Sequence, residues 1–566
     1  MSEFDKDEAR RRLIEDCAAE PETDIGNGRR FRRRYGDLAE QYAGAASPIA
    51  IAVANIGWHV FDGRRWKEDV DGSMVRPLAH HTAEAIREEP AVMAATPREK
   101  EAIDAGKVAA EALARMVMPE SGWTEEQKAE RRALDRQLAE AAASKAAVAD
   151  RRKSRMRHAK STAGSSKVNN LLGEAQPYMS RLVQDLNIER LSVNVKNGTI
   201  DFVQVEDEES DPEDPRHVWK AVLREHRQSD YVTKLVDFDW KPEAIAEMAE
   251  FKRFLIRVQQ DPLIRAFLKR FCGYLLTGLT VEQVMLFFYG AGRNGKSTFV
   301  DLLCHVLGDY AVTLSIDSFS GDNKRGGGEA TPDLARLPGA RLVAASEPEA
   351  NVKLKDALIK TLTGGEKIPV RRLHKDFFEV EPHFKIILSG NHKPRIDDDS
   401  DGIWRRVLMV PWLIQIPAGD VDRGLPKKLR AEAEGVLAWM VEGAVDYLNH
   451  GLDVPAAVRA ASEEYRQESD AIGTFIRLAC QVTGEAADSE KPFDLFMAFE
   501  RFADAEGVFK FNRSTFEKKF AKAAERMFEG PDGQLRQFTR RRSNGQTSYA
   551  GVRIRPEWLP KMGGDG

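Results

Sequence analysis

Between residues 281 and 412, short apolar runs alternate with amphipathic stretches. The runs cover 284–289, 311–315, 341–345, 384–388 and 406–412, each the length of a strand buried on both faces. Strands alternating with helices predict an α/β domain with a doubly wound, largely parallel sheet. Residues directly after such strands lie together beyond their carboxyl ends. Just upstream, the apolar positions Phe251, Phe254, Leu255, Val258, Leu263, Phe267, Leu268 and Phe271 predict a helical collar over 241–280 that leads into the first strand. From Pro97 to His158 the chain is rich in Ala, Glu, Lys and Arg and poor in Gly and Pro, which predicts helices broken near 119–122. Hairpins are expected at Trp58–Trp66, turning at Asp62-Gly63, and at Val193–Phe202, turning at Asn197-Gly198. Arg29 to Arg34 are expected in a helix that starts after a Gly26-Asn27-Gly28 turn. The predicted order is a small α+β module at 1–95, a mixed pre-core region at 96–240, the collar, the α/β core at 281–430, a helical linker at 431–470 and a last domain at 471–566.

The first apolar run is followed by Gly290-Ala291-Gly292-Arg293-Asn294-Gly295-Lys296-Ser297, and then by the helical pattern of Thr298 to Leu303. A glycine loop between strand and helix turns successive backbone N–H groups toward one phosphate chain, with the helix N-terminus behind them. Gly290, Gly292, Arg293, Asn294, Gly295, Lys296, Ser297 and Thr298 are therefore expected to bind ATP. Lys296 would reach the β- and γ-phosphates, and the Ser297 hydroxyl would ligate Mg2+. The run Arg341 to Ser346 ends at Glu347, expected to orient the metal or polarise the attacking water, with Glu349 as the fallback. The run Phe384 to Gly390 ends at Asn391, whose amide can donate to a γ-phosphate and accept from water. Trp404-Arg405-Arg406 supplies candidates for an arginine finger. Either arginine could serve, and a plainer role is neutralising the acids at 397–401. Between Glu347 and Asn391, a glycine break and a hairpin tipped near His374-Lys375-Asp376 form a basic insertion, or simply an exposed polar turn.

Charge changes the picture in two places. The net charge of −5 means that any nucleic-acid contact must be local. The last segment supplies such a place. Lys518, Lys519 and Lys522 lie on a helix over 514–527, and Arg540, Arg541 and Arg542 lie on a ribbon turning at Asn544-Gly545; the two together resemble a winged helix. Arg151 to Arg157 are read as a solvated helix face, with a DNA contact as the alternative. Asp69 and Asp71, in a polar turn, are the one tempting acidic pair for two-metal primer synthesis, which is not expected of them. The scattered cysteines, the charged N-terminus and the lack of a long apolar run lead to the expectation of a cytoplasmic protein with no membrane span.

The ordered set of glycine loop, strand-end Glu347, Leu362-Thr363-Gly364-Gly365, Asn391-His392-Lys393-Pro394 and Gly402-Ile403-Trp404-Arg405-Arg406 resembles the superfamily 3 helicases. More narrowly, it is similar to the helicase part of phage and plasmid primase–helicases, relatives of the poxvirus enzyme. The Gly26-Asn27 segment, Trp58 to Trp66 and Asn197 to Asp201 resemble the same family's pre-helicase region. The resemblance implies an AAA+ P-loop core and a homohexameric ring with ATP between subunits. It implies single-stranded and forked DNA as partners, with Arg371, Arg372, His374 and Lys375 as pore candidates. Family members often carry a primase domain upstream; too little chain precedes the helicase-type region here for one, so a separate primase or polymerase is expected to supply primers. A DNA-binding ATPase that loads other proteins at an origin, and more remotely a small-molecule kinase, are the alternatives.

Overall fold

The computed structural model describes residues 3–42, 49–116, 123–208, 210–211, 214–321, 331–346, 352–396, 401–507, 510–543 and 545–559. Its centre is a five-stranded sheet. In chain order the strands are β1 (Met285–Tyr289), β2 (Ala311–Thr313), β3 (Leu342–Ser346), β4 (Lys385–Gly390) and β5 (Val407–Pro411). They lie side by side in the order β5-β1-β4-β3-β2, and every pairing is parallel. Alternate residues feed two separate cores. Leu286, Phe288, Leu342, Ala344, Ile387 and Val410 join the cluster built on the collar helices Ala249–Val258 and Pro262–Leu276 and on Ala433–His450. Met285, Phe287, Val343, Ala345, Ile386, Leu388 and Met409 join the cluster on the opposite face. A period of two with both faces covered explains why these segments read as unbroken apolar runs.

The sheet has an even C-terminal edge. Ser346 pairs with Ser389, which pairs with Phe288, and Gly390 pairs with Tyr289. Residues leaving β1, β3 and β4 therefore emerge at one level. Between β3 and β4 are the helix Asp356–Gly364 and an antiparallel hairpin, Ile368–Arg371 with Phe377–Val380.

The N-terminal module departs from expectation in three ways. Gly26, Asn27 and Gly28 lie inside the helix Asp24–Tyr35, whose N-cap is Thr23. The glycines are there for close approach rather than for a turn: a Cβ on Gly26 would overlap the Pro21 carbonyl, and one on Gly28 would stand 2.7 Å from the Glu174 backbone. The hairpin of Gly57–Phe61 and Trp66–Glu68 closes through Asp62 to Arg65, with Phe61 opposite Trp66 and Asp62 Oδ1 accepting from the Arg64 and Arg65 N–H groups. It is wider than the two-residue turn expected. The basic run at 151–157 is a solvated face only in part: Arg152, Lys153 and Arg157 are exposed, but Arg151 and Arg155 are held in ion pairs. It lies on the 38-residue helix Glu125–Thr162, where Arg151 pairs with Glu99 and Arg155 is buried against Glu89 and Glu22. Arg30 joins Glu89 there, and the side chains of both are fully buried. Asp69 accepts from the N–H groups of Met74 and Val75 at 3.1 and 2.8 Å, and Asp71 from that of Ser73. Asp69 thereby holds the first N–H groups of the helix Val75–Ala85, and Asp71 closes a local turn ahead of it.

In the second hairpin Val195 pairs with Gly198, so Lys196-Asn197 form the turn and Gly198 begins the strand. The C-terminal domain is a separate core of three helices, Ala471–Ala479, Pro492–Glu506 and Arg513–Ala523, packed on short antiparallel ribbons. The turn residue Asn544 lies outside the described residues. Among the described residues, no helix is long and apolar enough to cross a membrane.

Two glycines of similar sequence character are expected to respond oppositely to a methyl group. In the helix Pro262–Leu276, a Cβ on Gly273 would overlap the backbone of Gly443 and Ala444. Gly273→Ala should cost about 1–3 kcal/mol, as overpacking does. Gly173 sits in the helix Ser165–Ala175, and a methyl group added there would meet nothing within 4 Å. Gly173→Ala should gain ~0.4–1 kcal/mol. Thermal and urea unfolding of the two variants check the opposite signs.

Candidate functional site

The loop from Gly290 to Gly295 has four residues with positive φ: Gly290 at 157°, Gly292 at 84°, Arg293 at 49° and Gly295 at 84°. Its outer wall is the chain leaving β5. The Asn294 amide donates to the Trp412 carbonyl at 2.8 Å, Trp412 N–H donates to Tyr289 O at 2.8 Å, and Ile416 N–H donates to Arg293 O at 2.7 Å. A Cβ on Gly290 would overlap that same Trp412 carbonyl oxygen, and one on Gly295 would lie 2.8–2.9 Å from Val258 and Phe254. Phe288, Phe299 and Trp412 pack ring to ring behind the loop, at centroid distances of 5.3–6.1 Å.

Lys296 begins the helix Lys296–Leu307, and no side chain caps that N-terminus. The residue is 5% exposed, and its ammonium donates to Gly290 O at 2.7 Å, Asn294 Oδ1 at 3.1 Å and Asn391 Oδ1 at 3.3 Å. All three acceptors are neutral. Burial lowers the pKa of Lys296, and these contacts include no carboxylate to hold the charge. A buried ammonium, uncapped helix N–H groups and a loop kept clear of side chains fit the oxygens of a triphosphate. Asn391, 95 residues away in sequence, meets Lys296 because β4 and β1 are neighbours of equal height. Ser297 lines a cleft of about 470 Å3 with Asp301, Thr313, Ser346 and Ser389, at the ends of β2, β3 and β4. Glu347 and its fallback Glu349 lie outside the described residues.

Two features of the surroundings had no clear signal in the sequence. Arg430, from the helix Leu425–Ala431, reaches the Ser297 cleft although it lies well beyond β5. On the other flank of the loop, Thr298, Gly295 and Arg293 border a second cleft of about 490 Å3, with apolar walls from Phe254, Val258, Ile416 and Val421. Its size and lining suit a planar base beside the phosphate loop.

The remaining candidates are not at this edge. Arg405 and Arg406 precede β5 and so stand at the N-terminal edge of the sheet, about 16 Å of strand away from the loop. Both donate to Gln283 Oε1, at 3.3 and 3.1 Å. Arg406 is buried and also donates to the Gly402 carbonyl, and burial lowers its pKa, with Arg405 adding to the effect; Arg405 itself is exposed.

On the inserted hairpin, His374 and Lys375 are exposed at the tip, His374 with φ of 58°. Arg371 lies 5.4 Å from the Phe377 ring and donates to Lys375 O. Arg372 is held by Glu68 of the N-terminal module.

In the C-terminal domain, Lys518 is exposed, and so is every residue of the strand Thr539–Ser543, which carries Arg540, Arg541 and Arg542. Lys522 is exposed too, and with the half-buried Lys519 it borders a cleft of about 630 Å3 shared with Asp401, Glu463 and Asp470. Lys519 lies 5.2 Å from the Phe511 ring. The helix therefore does not present a uniformly open basic face.

Residues 28–260 match the family model described as "D5 N terminal like", and residues 288–406 match a "Family of unknown function (DUF5906)". A "Putative helicase" of Acanthamoeba polyphaga mimivirus is 29% identical over 240 residues, covering 39% of this chain and 25% of that protein. One from Frog virus 3 is 32% identical over 163 residues, covering 28% and 17%. The chain thus spans a quarter or less of the length of these curated relatives. Among solved structures, an apo form of the NrS-1 C-terminal region is similar at 15% identity and a TM-score of 0.32, over 56% of this chain and 76% of that one. Residues 28–260 are thus D5-like, and the viral proteins that the chain resembles in part carry the name of putative helicases.

Asn294 is expected to be the loop's keystone. Asn294→Ala leaves the buried Trp412 carbonyl without its amide donor and removes one acceptor from Lys296. At about 1–3 kcal/mol for such a loss, MgATP should bind about five- to 150-fold more weakly by titration calorimetry. An unchanged affinity would show that the loop keeps its shape without this bond.

Proposed function

We propose that the chain is the motor of a replicative DNA helicase of the superfamily 3, AAA+ type, hydrolysing MgATP between subunits of a homohexameric ring. The observation that carries this is the meeting of Lys296, from the loop after β1, with Asn391, from the end of β4, beneath an open glycine loop. The strand order β5-β1-β4-β3-β2, with the loop following a central strand, supports the AAA+ assignment.

The residues divide the work as follows. The loop N–H groups and Lys296 bind and orient the β- and γ-phosphates, and Ser297 and Glu347 would hold Mg2+, which would supply electrostatic stabilisation of the transferring phosphoryl group. Lys296 exchanges its neutral acceptors for phosphate oxygens, which frees the Asn391 amide for the γ-phosphate and the attacking water. Arg430, in the Ser297 cleft, adds positive charge from the same subunit. Arg405 cannot serve its own site from the opposite sheet edge, so its exposed guanidinium is assigned to a neighbour's ATP. Arg406, buried against Gly402 and Gln283, positions it. His374, Lys375, Arg371 and Arg372 present the hairpin to one DNA strand, and Arg540, Arg541, Arg542 and Lys518 form the outer contact of a winged-helix-like domain.

The test of the motor is strand displacement on a forked duplex, with Lys296→Ala as the inactive control. ATP hydrolysis without strand separation at any salt concentration would leave the second reading, an origin-recognising loader, which the fully exposed basic ribbon also fits. Arg405→Ala should lower ATP turnover by ~10³ or more while sparing ATP affinity. Mixing it with Lys296→Ala subunits should restore part of the activity, and mixed rings no better than either parent would remove Arg405 from a neighbour's site. For the hairpin, Lys375→Ala should spare basal hydrolysis and reduce the salt slope of single-strand binding by ~0.7; normal unwinding by this variant would take the tip out of the mechanism.

A further inference from the structure

The N-terminal module grips the hairpin at three points. Glu68 closes a two-pronged ion pair on Arg372, at 2.6 Å (Nη1 to Oε1) and 3.1 Å (Nη2 to Oε2). The Asn55 amide donates to the Phe377 carbonyl at 3.4 Å. Ile56 packs against the core cluster that includes Val370, Phe378 and Val380 of the hairpin. The gripping strand is itself anchored. Trp66 is fully buried, stacks on Tyr231 at 5.6 Å and donates through its indole N–H to Gln228 O at 2.9 Å, while Arg65 pairs with Asp309 beside β2. Glu68 thus projects from a rigid support onto the first turn residue of a hairpin whose tip, Leu373 to Asp376, is exposed.

A guanidinium binds carboxylate and phosphate through the same pair of parallel N–H groups, so it cannot hold both on one edge. Glu68 is half-buried. Burial pushes its carboxyl up, but the Arg372 bonds and charge, helped by His59 and Lys234, hold it below the usual range, so it remains a carboxylate at neutral pH. Lys234, whose charge also favours the Glu68 carboxylate, does not depend on Arg372.

We propose that Glu68 is an intramolecular stand-in for a nucleic-acid phosphate. It holds the hairpin by occupying Arg372, and a phosphodiester of single-stranded DNA takes the guanidinium when the hairpin engages. The inference rests on the hairpin's DNA-contacting role proposed above, and it gives the N-terminal module a function: restraining the DNA-contacting element until DNA arrives.

The test uses the full chain and Glu68→Gln, which keeps the side-chain shape. Hydrogen exchange of residues 368–380 is followed with and without a 20-nucleotide oligo-dT, alongside binding of the same oligonucleotide. Without DNA, the variant should exchange faster than wild type across the hairpin and bind oligo-dT about two- to five-fold more tightly, the effect of removing one partly exposed ion pair. In wild type, oligo-dT should loosen residues 57–68. Equal hairpin exchange in the two proteins without DNA overturns the restraint. Faster exchange with unchanged or weaker oligo-dT binding overturns the competition. Binding of oligo-dT by neither protein removes both the DNA-contacting hairpin and the stand-in. Equal exchange with normal binding removes the stand-in alone.

Discussion

The carbonyl oxygen of Trp412 sets the shape of the whole site. It occupies the space where a side chain on Gly290 would go, and it accepts the amide of Asn294. That one oxygen keeps the loop arched, because the alternative would bury an unpaired acceptor among Phe288, Phe299 and the Trp412 ring itself. The arch leaves a space that Lys296 reaches into from the next helix, and the ammonium has only neutral oxygens to bind there. A cation buried without an anion is poised for one, and the most economical anion for this shape is a polyphosphate. The glycines, the aromatic wall and the register of β1 with β5 all serve this arrangement.

The parallel sheet then distributes the chemistry by geometry. The carboxyl ends of β1 and β4 bring the glycine loop and Asn391 together, and residues that precede β5 are carried to the far edge. Asn391 belongs to the first set and Arg405 to the second, although only fourteen positions separate them along the chain. Polarity of the strands, rather than distance in sequence, makes Asn391 a partner of its own Lys296 and carries Arg405, exposed beside Gln283, to the opposite edge. The helix Ala456–Ser469 ties these regions to the C-terminal domain: Lys393 pairs with Glu468, Arg466 with Asp401, and the Tyr465 hydroxyl donates to Pro394 O. The residues just past Asn391 are therefore braced against the element that leads into the last domain.

Ion pairs do much of the long-range organisation, and they do it between elements far apart in sequence. Arg30, Glu89 and Arg155 are buried as a triad among helices, where breaking one partner would leave an uncompensated charge. Glu68 and Arg372 bring together residues 304 positions apart, half-exposed and so exchangeable. The first kind locks the N-terminal module. The second kind joins it to the core without making the junction permanent.

Much of this was already written in the chain. The five strands of the sheet lie within a residue or two of their apolar runs, because a strand covered on both faces must be apolar at every position. Gly290, Gly292, Gly295 and Lys296 could be read as a phosphate loop because few other uses require that spacing between a strand and a helix. Local patterns did not reveal partners. The arginines at 151–157 resemble any charged helix face until Glu99, Glu89 and Glu22 arrive from elsewhere. Gly26 and Gly28 resemble a turn until Pro21 and Glu174 crowd them. The same holds for Arg372, for Arg430 and for the placing of Lys519 and Lys522 along a cleft. Periodicity and loop chemistry are properties of neighbours along the chain, so the linear order of residues carries them. Which charge meets which, and which arginine faces outward, depends on sheet polarity and on packing between domains, and those exist only once the chain has closed on itself.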